Sequence, residues 1–159
     1  MIDHRSTARD AQGLLDGAGM SAGKPVLLVG GENDRRMVLD ALSELVGAVP
    51  INLNLALAQT LIAATGGRVD VGAIIAEMEP DSSILLLDRI HILMLSQLRT
   101  NAIDVLSRVA RRRAVCASWP GRLNNGRLRY ADPDHPECLD EDASRALVLD
   151  LSTNEGTSR

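Results

Sequence analysis

The chain has 159 residues, 45% of them hydrophobic, and a formal net charge of −4. It is the length of one domain, with enough apolar surface for a real core. The acidic balance argues against a whole surface built to bind nucleic acid, although a local basic patch stays open.

Trp119 and Tyr130 are the only aromatics, so the interior must be packed from Leu, Ile, Val, Ala and Met. No apolar run reaches the roughly 18 residues that a membrane span needs, and Asp3, His4 and Arg5 interrupt the start. Neither a span nor a secretory signal is expected, and the expected location is cytoplasmic. Cys116 lies in an apolar stretch and Cys138 in a Pro-containing loop, which does not make a disulfide framework. Cys116 reads as a small buried hydrophobe.

In chain order, a helix around Thr7 to Leu15 and a Gly-rich linker from Gly17 to Gly23 come first. Residues 1–20 are expected to be this helix and linker, 24–151 the domain and 152–159 a flexible tail. Val26 to Val29 reads as a buried strand that enters an amphipathic helix running to about Val46, with Asn33 or Asp34 as its cap. Val49 to Leu53 is a short strand, Asn54 to Ala64 a helix stopped by Gly66-Gly67, and Val71 to Met78 another stopped by Pro80. Ser82 to Asp88 and Arg113 to Ser118 are two further apolar strands joined by a helix from Thr100 to Arg112. Asn124-Asn125-Gly126 signals a hairpin between Arg122-Leu123 and Arg127 to Tyr130, and Arg145 to Leu151 supplies a last strand. Alternating strands and helices, with each strand continuously apolar, imply an α/β fold: a mostly parallel sheet with helices on both faces and a C-terminal β-hairpin.

In such sheets ligands collect at the carboxyl ends of the strands, where Gly30, Asp88 and Ser118 would all lie. That convergence suggests a three-layer αβα P-loop NTPase-like fold of the ASCE/AAA type. The phosphate-binding signature G-x-x-x-x-G-K-[ST] laid on Gly30 and Gly31 runs through Glu32, Asn33 and Asp34 to Arg35, Arg36 and Met37. Arg35 stands for the second glycine, Arg36 for the lysine and Met37 for the magnesium-holding hydroxyl. A phosphate cradle needs inward backbone N–H groups and glycine where side chains collide, and Arg is not a neutral substitute for Lys. ATP with magnesium is therefore expected to bind weakly or not at all. Three readings of the loop stay open: an ordinary strand-to-helix turn, a relic loop still able to touch phosphate, and a competent hydrolytic site.

In a working site Asp88 would hold magnesium through water, and a neighbouring acid would position the attacking water. Arg89 follows instead of an acid, and His91 is either a hydrogen-bonded structural residue or a general base. Ser118 reads as a γ-phosphate sensor or a turn former. Arg108, Arg111, Arg112 and Arg113 close a helix, where cations complement the dipole; the alternatives are contact with a partner subunit or with nucleic-acid phosphates. His135-Pro-Glu-Cys138 has no second pair to complete a zinc site, so no metal site is expected, and no G-x-S-x-G elbow supports a serine hydrolase.

From Pro50 to Cys138 the pattern resembles BrxF, the small P-loop-containing protein of certain BREX phage-defence systems. The resemblance rests on Ile51 to Leu57, Ile84 to Leu93, Arg111 to Gly121 and Gly126 to Glu137, with Trp119-x-Gly121 and His135-Pro136-Glu137 as its most specific elements. It implies a host-defence role beside larger BREX proteins, an ATPase-like fold and a phosphate loop at Gly30. The degenerate loop and the absence of an acid at His91 depart from that pattern. The resemblance makes Trp119, Tyr130 and His135 candidates for a partner or ligand surface, with Trp119 as a core cap the alternative.

The expected function is thus a binding or assembly subunit of phage defence with a degenerate nucleotide site. The alternatives are a weak or partner-activated ATPase and a nucleic-acid-binding subunit that uses Arg108 to Arg113, Arg122, Arg127 and Arg129. Other defence proteins, a second copy of the chain and DNA are the partners considered, and a membrane is not.

Overall fold

Two adjacent residues of each central strand look in opposite directions, and both directions are covered by helices. The structure, a computed structural model, describes residues 3–17, 23–63, 70–94, 101–130 and 139–151. The linker, the 131–138 segment with His135 and Cys138, and the tail from 152 lie outside the described residues.

The elements follow the order α1 (His4–Asp16), β1 (Val26–Val29), α2 (Glu32–Val46), β2 (Ile51–Asn52), α3 (Leu53–Ala63), α4 (Val71–Ala76) and β3 (Ile84–Asp88). A 3₁₀ turn (Ile90–Met94), α5 (Ala102–Ala110), β4 (Ala114–Trp119), β5 (Arg122–Asn124) and β6 (Arg127–Tyr130) come next. The described chain closes with β7 (Leu139–Asp142), a 3₁₀ turn (Ala143–Arg145) and β8 (Leu147–Asp150). Five strands form one sheet in the order β2-β3-β4-β1-β8. Every neighbouring pair in it is parallel.

Leu27, Val29, Leu85, Leu87, Val115, Ala117 and Trp119 face one layer, made by α3, α4, α5 and the first 3₁₀ turn. Val26, Leu28, Leu86, Ala114 and Cys116 face the other, made by α1 and α2. This two-sided burial is why the strands read as apolar runs rather than alternating ones. Burying each such Leu contributes about 1.5–3 kcal/mol. Burial in this layer also pushes the Cys116 thiol up to about 12 from its ordinary 9.0.

Side-chain caps set several boundaries. Asp3 accepts from Arg5 N and Ser6 N, Asp70 from Ala73 N, and Asn101 from Asp104 N, so each starts its helix. The expected cap at Asn33 or Asp34 is corrected: α2 begins at Glu32 with Gly31 as its N-cap, and both residues lie inside the first turn. Trp119 is also the last residue of β4 instead of following the strand.

The expected hairpin is present as β5 and β6, with Asn125 (φ 52) and Gly126 (φ 75) in the two-residue turn. It is part of a larger unit, because β7 pairs with β6 and completes a three-stranded antiparallel sheet. Leu128 enters the core, and the unit is tied to α5 by polar contacts. Asn101 donates to Glu141, and Arg145 donates to both Glu141 and Asp104.

Candidate functional site

Because β1, β3 and β4 are parallel neighbours, their carboxyl ends meet on one edge of the sheet. A cavity of about 270 Å³ opens there, lined by Glu32, Arg35, Arg36, Asp88, Arg89, His91, Ser118, Pro120 and Tyr130. The sheet thus brings together Asp88, His91, Ser118, Arg35, Arg36 and Tyr130.

The connection from β1 to α2 consists of Gly30 and Gly31 alone. Residues 32–36, which a wrapping phosphate loop would use as loop, are already helical, and the Arg35 amide donates to the Gly31 carbonyl at 3.0 Å. Gly30 has φ +152, and a Cβ there would approach the Leu151 Cβ to 2.8 Å. The demand for glycine at this position is therefore made by the backbone conformation and by the chain after β8. At Gly31 the nearest atom to an added Cβ is Asp34 Oδ2 at 4.0 Å, so that position has room.

Arg35 occupies the junction between the ends of β1 and β4. Its Nε donates to the Gly30 carbonyl at 3.0 Å and its Nη1 to the Ser118 hydroxyl at 2.7 Å. Both acceptors are neutral. Burial holds the guanidinium below its ordinary pKa, while the charges of Glu32 and Asp88 pull the other way. On the rim, Arg36 Nη2 lies 3.3 Å from Glu32 Oε2 and Arg89 Nη2 lies 3.9 Å from the same oxygen. Asp88 accepts from the Arg89 amide at 2.9 Å. Arg89 itself has φ 55, a left-handed conformation that costs a non-glycine residue on the order of 1 kcal/mol.

The remaining candidates lie elsewhere. Asp34 pairs with His4 of α1 at 2.9 Å, Asn33 lies in the first turn of α2, and Met37 is 45% exposed on the same helix. Trp119 is fully buried, and its indole N–H donates to the Arg129 carbonyl at 3.3 Å. Its surroundings are those of a core residue that anchors the small sheet. Arg108, Arg111, Arg112 and Arg113 precede β4 and so sit near the amino ends of the strands, away from the cavity. Arg108 lies 3.7 Å from Asp70. Arg113 caps the loop before β3, donating to the carbonyls of Ala76 and Met78 through Nη1 and of Glu79 and Ser82 through Nη2.

Glu32, Arg89 and Pro120 line the cavity although the motif does not single them out as site residues, and Arg89, which follows Asp88 in place of an acid, stands there as a cation on the rim. Among the described residues, no group of three or more His, Cys, Asp or Glu is placed to hold a metal ion, and no helix is long and apolar enough to cross a membrane. Comparison with protein-family models, with curated proteins and with solved structures finds no match to this chain.

Proposed function

We propose that this chain is a P-loop NTPase-like protein of the ASCE/AAA type whose nucleotide site is closed, and that it acts as a non-hydrolysing binding or assembly subunit in BREX-type phage defence. The defence setting rests on the resemblance to BrxF. The loss of nucleotide chemistry rests on one observation: the Arg35 side chain spans from the Gly30 carbonyl to the Ser118 hydroxyl. A phosphate chain needs that junction and its inward amides, and here a guanidinium fills the one while a helical turn replaces the other. Met37 offers no hydroxyl to magnesium, and Arg89 stands where a water-positioning acid would follow Asp88. The residues present do not fit magnesium ATP. The parallel sheet, with β4 between the loop strand and the acid strand, supports the ASCE/AAA ancestry.

The nucleic-acid reading draws less support from the charges. Arg127 Nε lies 2.8 Å from Asp140, Arg129 Nε lies 3.8 Å from it, and Arg108 pairs with Asp70. Three of the seven arginines in that footprint are thereby paired with acids of the same chain.

Calorimetric titration with ATP and magnesium, combined with a phosphate-release assay, tests the proposal. No saturable heat and no turnover are expected from the purified chain. Sustained hydrolysis by the purified chain would remove the reading.

A further inference from the structure

The cavity at the carboxyl edge of the sheet has a charge balance of its own. Three guanidiniums, from Arg35, Arg36 and Arg89, face two carboxylates, from Glu32 and Asp88. Their distribution is uneven. Arg36 and Arg89 share the single Glu32 carboxylate, at 3.3 and 3.9 Å. Among the described residues, Arg35 donates to the neutral oxygens of Gly30 and Ser118. On the same formal count that gives the whole chain −4, one positive charge in the lining is left over.

We propose that this cavity is a docking pocket for one carboxylate side chain, a Glu or Asp presented by an assembly partner. The inference rests on the functional reading above and gives that partner a chemistry. A single carboxylate neutralises the surplus charge, whereas a phosphate dianion overshoots it and a triphosphate overshoots it further, against the repulsion of Glu32 and Asp88. Size agrees with charge: about 270 Å³ suits a side chain and falls just below the roughly 300 Å³ at which small-ligand pockets begin. Guanidinium groups match carboxylates with paired, charge-assisted hydrogen bonds. The positive φ of Arg89 holds one such group on the rim at a conformational cost, as strained residues at binding sites do. The same balance reverses the usual logic of ATPase rings. An arginine inserted by a neighbour would meet three others, so the complementary intruder is an acid.

The test follows backbone amide signals of the ¹⁵N-labelled full chain during titration at low ionic strength. The probe is the blocked tripeptide glycine-glutamate-glycine, and its glutamine counterpart is the control. Saturating shifts at Arg35, Arg36, Arg89 and His91 are expected with the glutamate peptide. The glutamine peptide should bind about tenfold more weakly, since it forfeits a charge-assisted pair. Arg89→Ala should weaken the glutamate peptide at least threefold, Arg36→Ala serves if that variant does not fold, and Arg9→Ala on α1 should change nothing. Inorganic phosphate and ATP are titrated separately. Equal binding of the two peptides, absence of saturation, or tighter binding of phosphate than of the glutamate peptide overturns the pocket assignment. ATP turnover would instead strike the functional reading, so the two failures are told apart.

Discussion

A Cβ added at Gly121 would lie 1.7 Å from the Arg129 carbonyl oxygen and 2.9 Å from the Trp119 indole nitrogen. The Trp119-x-Gly121 spacing therefore has a steric reason. The indole donates to that carbonyl, and only glycine lets the small sheet come close enough. Gly31 is different, because its added Cβ would meet nothing nearer than 4.0 Å. Gly121→Ala is expected to destabilise the chain by about 3 kcal/mol or more in urea unfolding. Gly31→Ala should cost less than about 1 kcal/mol, the difference between Gly and Ala at a helix N-cap. A glycine demanded by bound phosphate would give no such contrast in the ligand-free chain. Arg113 supplies a second residue-scale prediction. Arg113→Ala leaves the carbonyls of Ala76, Met78, Glu79 and Ser82 without this donor and should cost about 1–3 kcal/mol, with Arg113→Lys recovering only part. From the sequence, Arg113 was one of four clustered cations. Its neighbours could not be read there, because the carbonyls lie more than thirty residues away.

Helices and central strands were legible because their apolar periodicity and caps are local signals. β7 was not. Leu139 to Asp142 carries three consecutive acids, a composition that reads as loop. It forms a strand because β6 offers complementary cations: Arg127 pairs in register with Asp142, and Arg129 with Asp140. The clue was the spacing of two between those arginines, matched by the spacing of two between those acids. The pairing makes an acid-sensitive element. The Arg127 hydrogen bond holds the Asp140 carboxyl below its usual value of 3.8, and hydrogen bonds from Ser144 do the same for Asp142. Carboxyls depressed in the folded state stabilise it above pH 3.8, and that contribution is lost as pH falls through their lower folded values. Thermal unfolding followed from pH 5 downward should show this loss, and Asp140→Asn should flatten the acid limb. An unchanged limb in that variant would mean the pairing contributes nothing.

At the scale of the molecule, α1 is a structural layer rather than an appendage. Ala8, Ala11 and Leu15 are buried with Val26, Leu28, Val38 and Leu42 on one face of the sheet. Leu15→Ala should therefore cost about 2–5 kcal/mol by urea unfolding, and Leu14→Ala, at a partly buried position, clearly less. A small cost at Leu15, no larger than that at Leu14, would mean that α1 is only loosely attached. The amino-acid sequence by itself determined the α/β class, the order of most elements and the departure from the phosphate-loop signature, since each depends on residue identity and short-range spacing. Tertiary structure alone decided that Arg35 crosses to Ser118 of another strand, that Arg36 and Arg89 share Glu32, and that Trp119 is a core anchor. Those contacts join residues as many as eighty-three positions apart, and only the packing of strands and helices around a common core sets such distances.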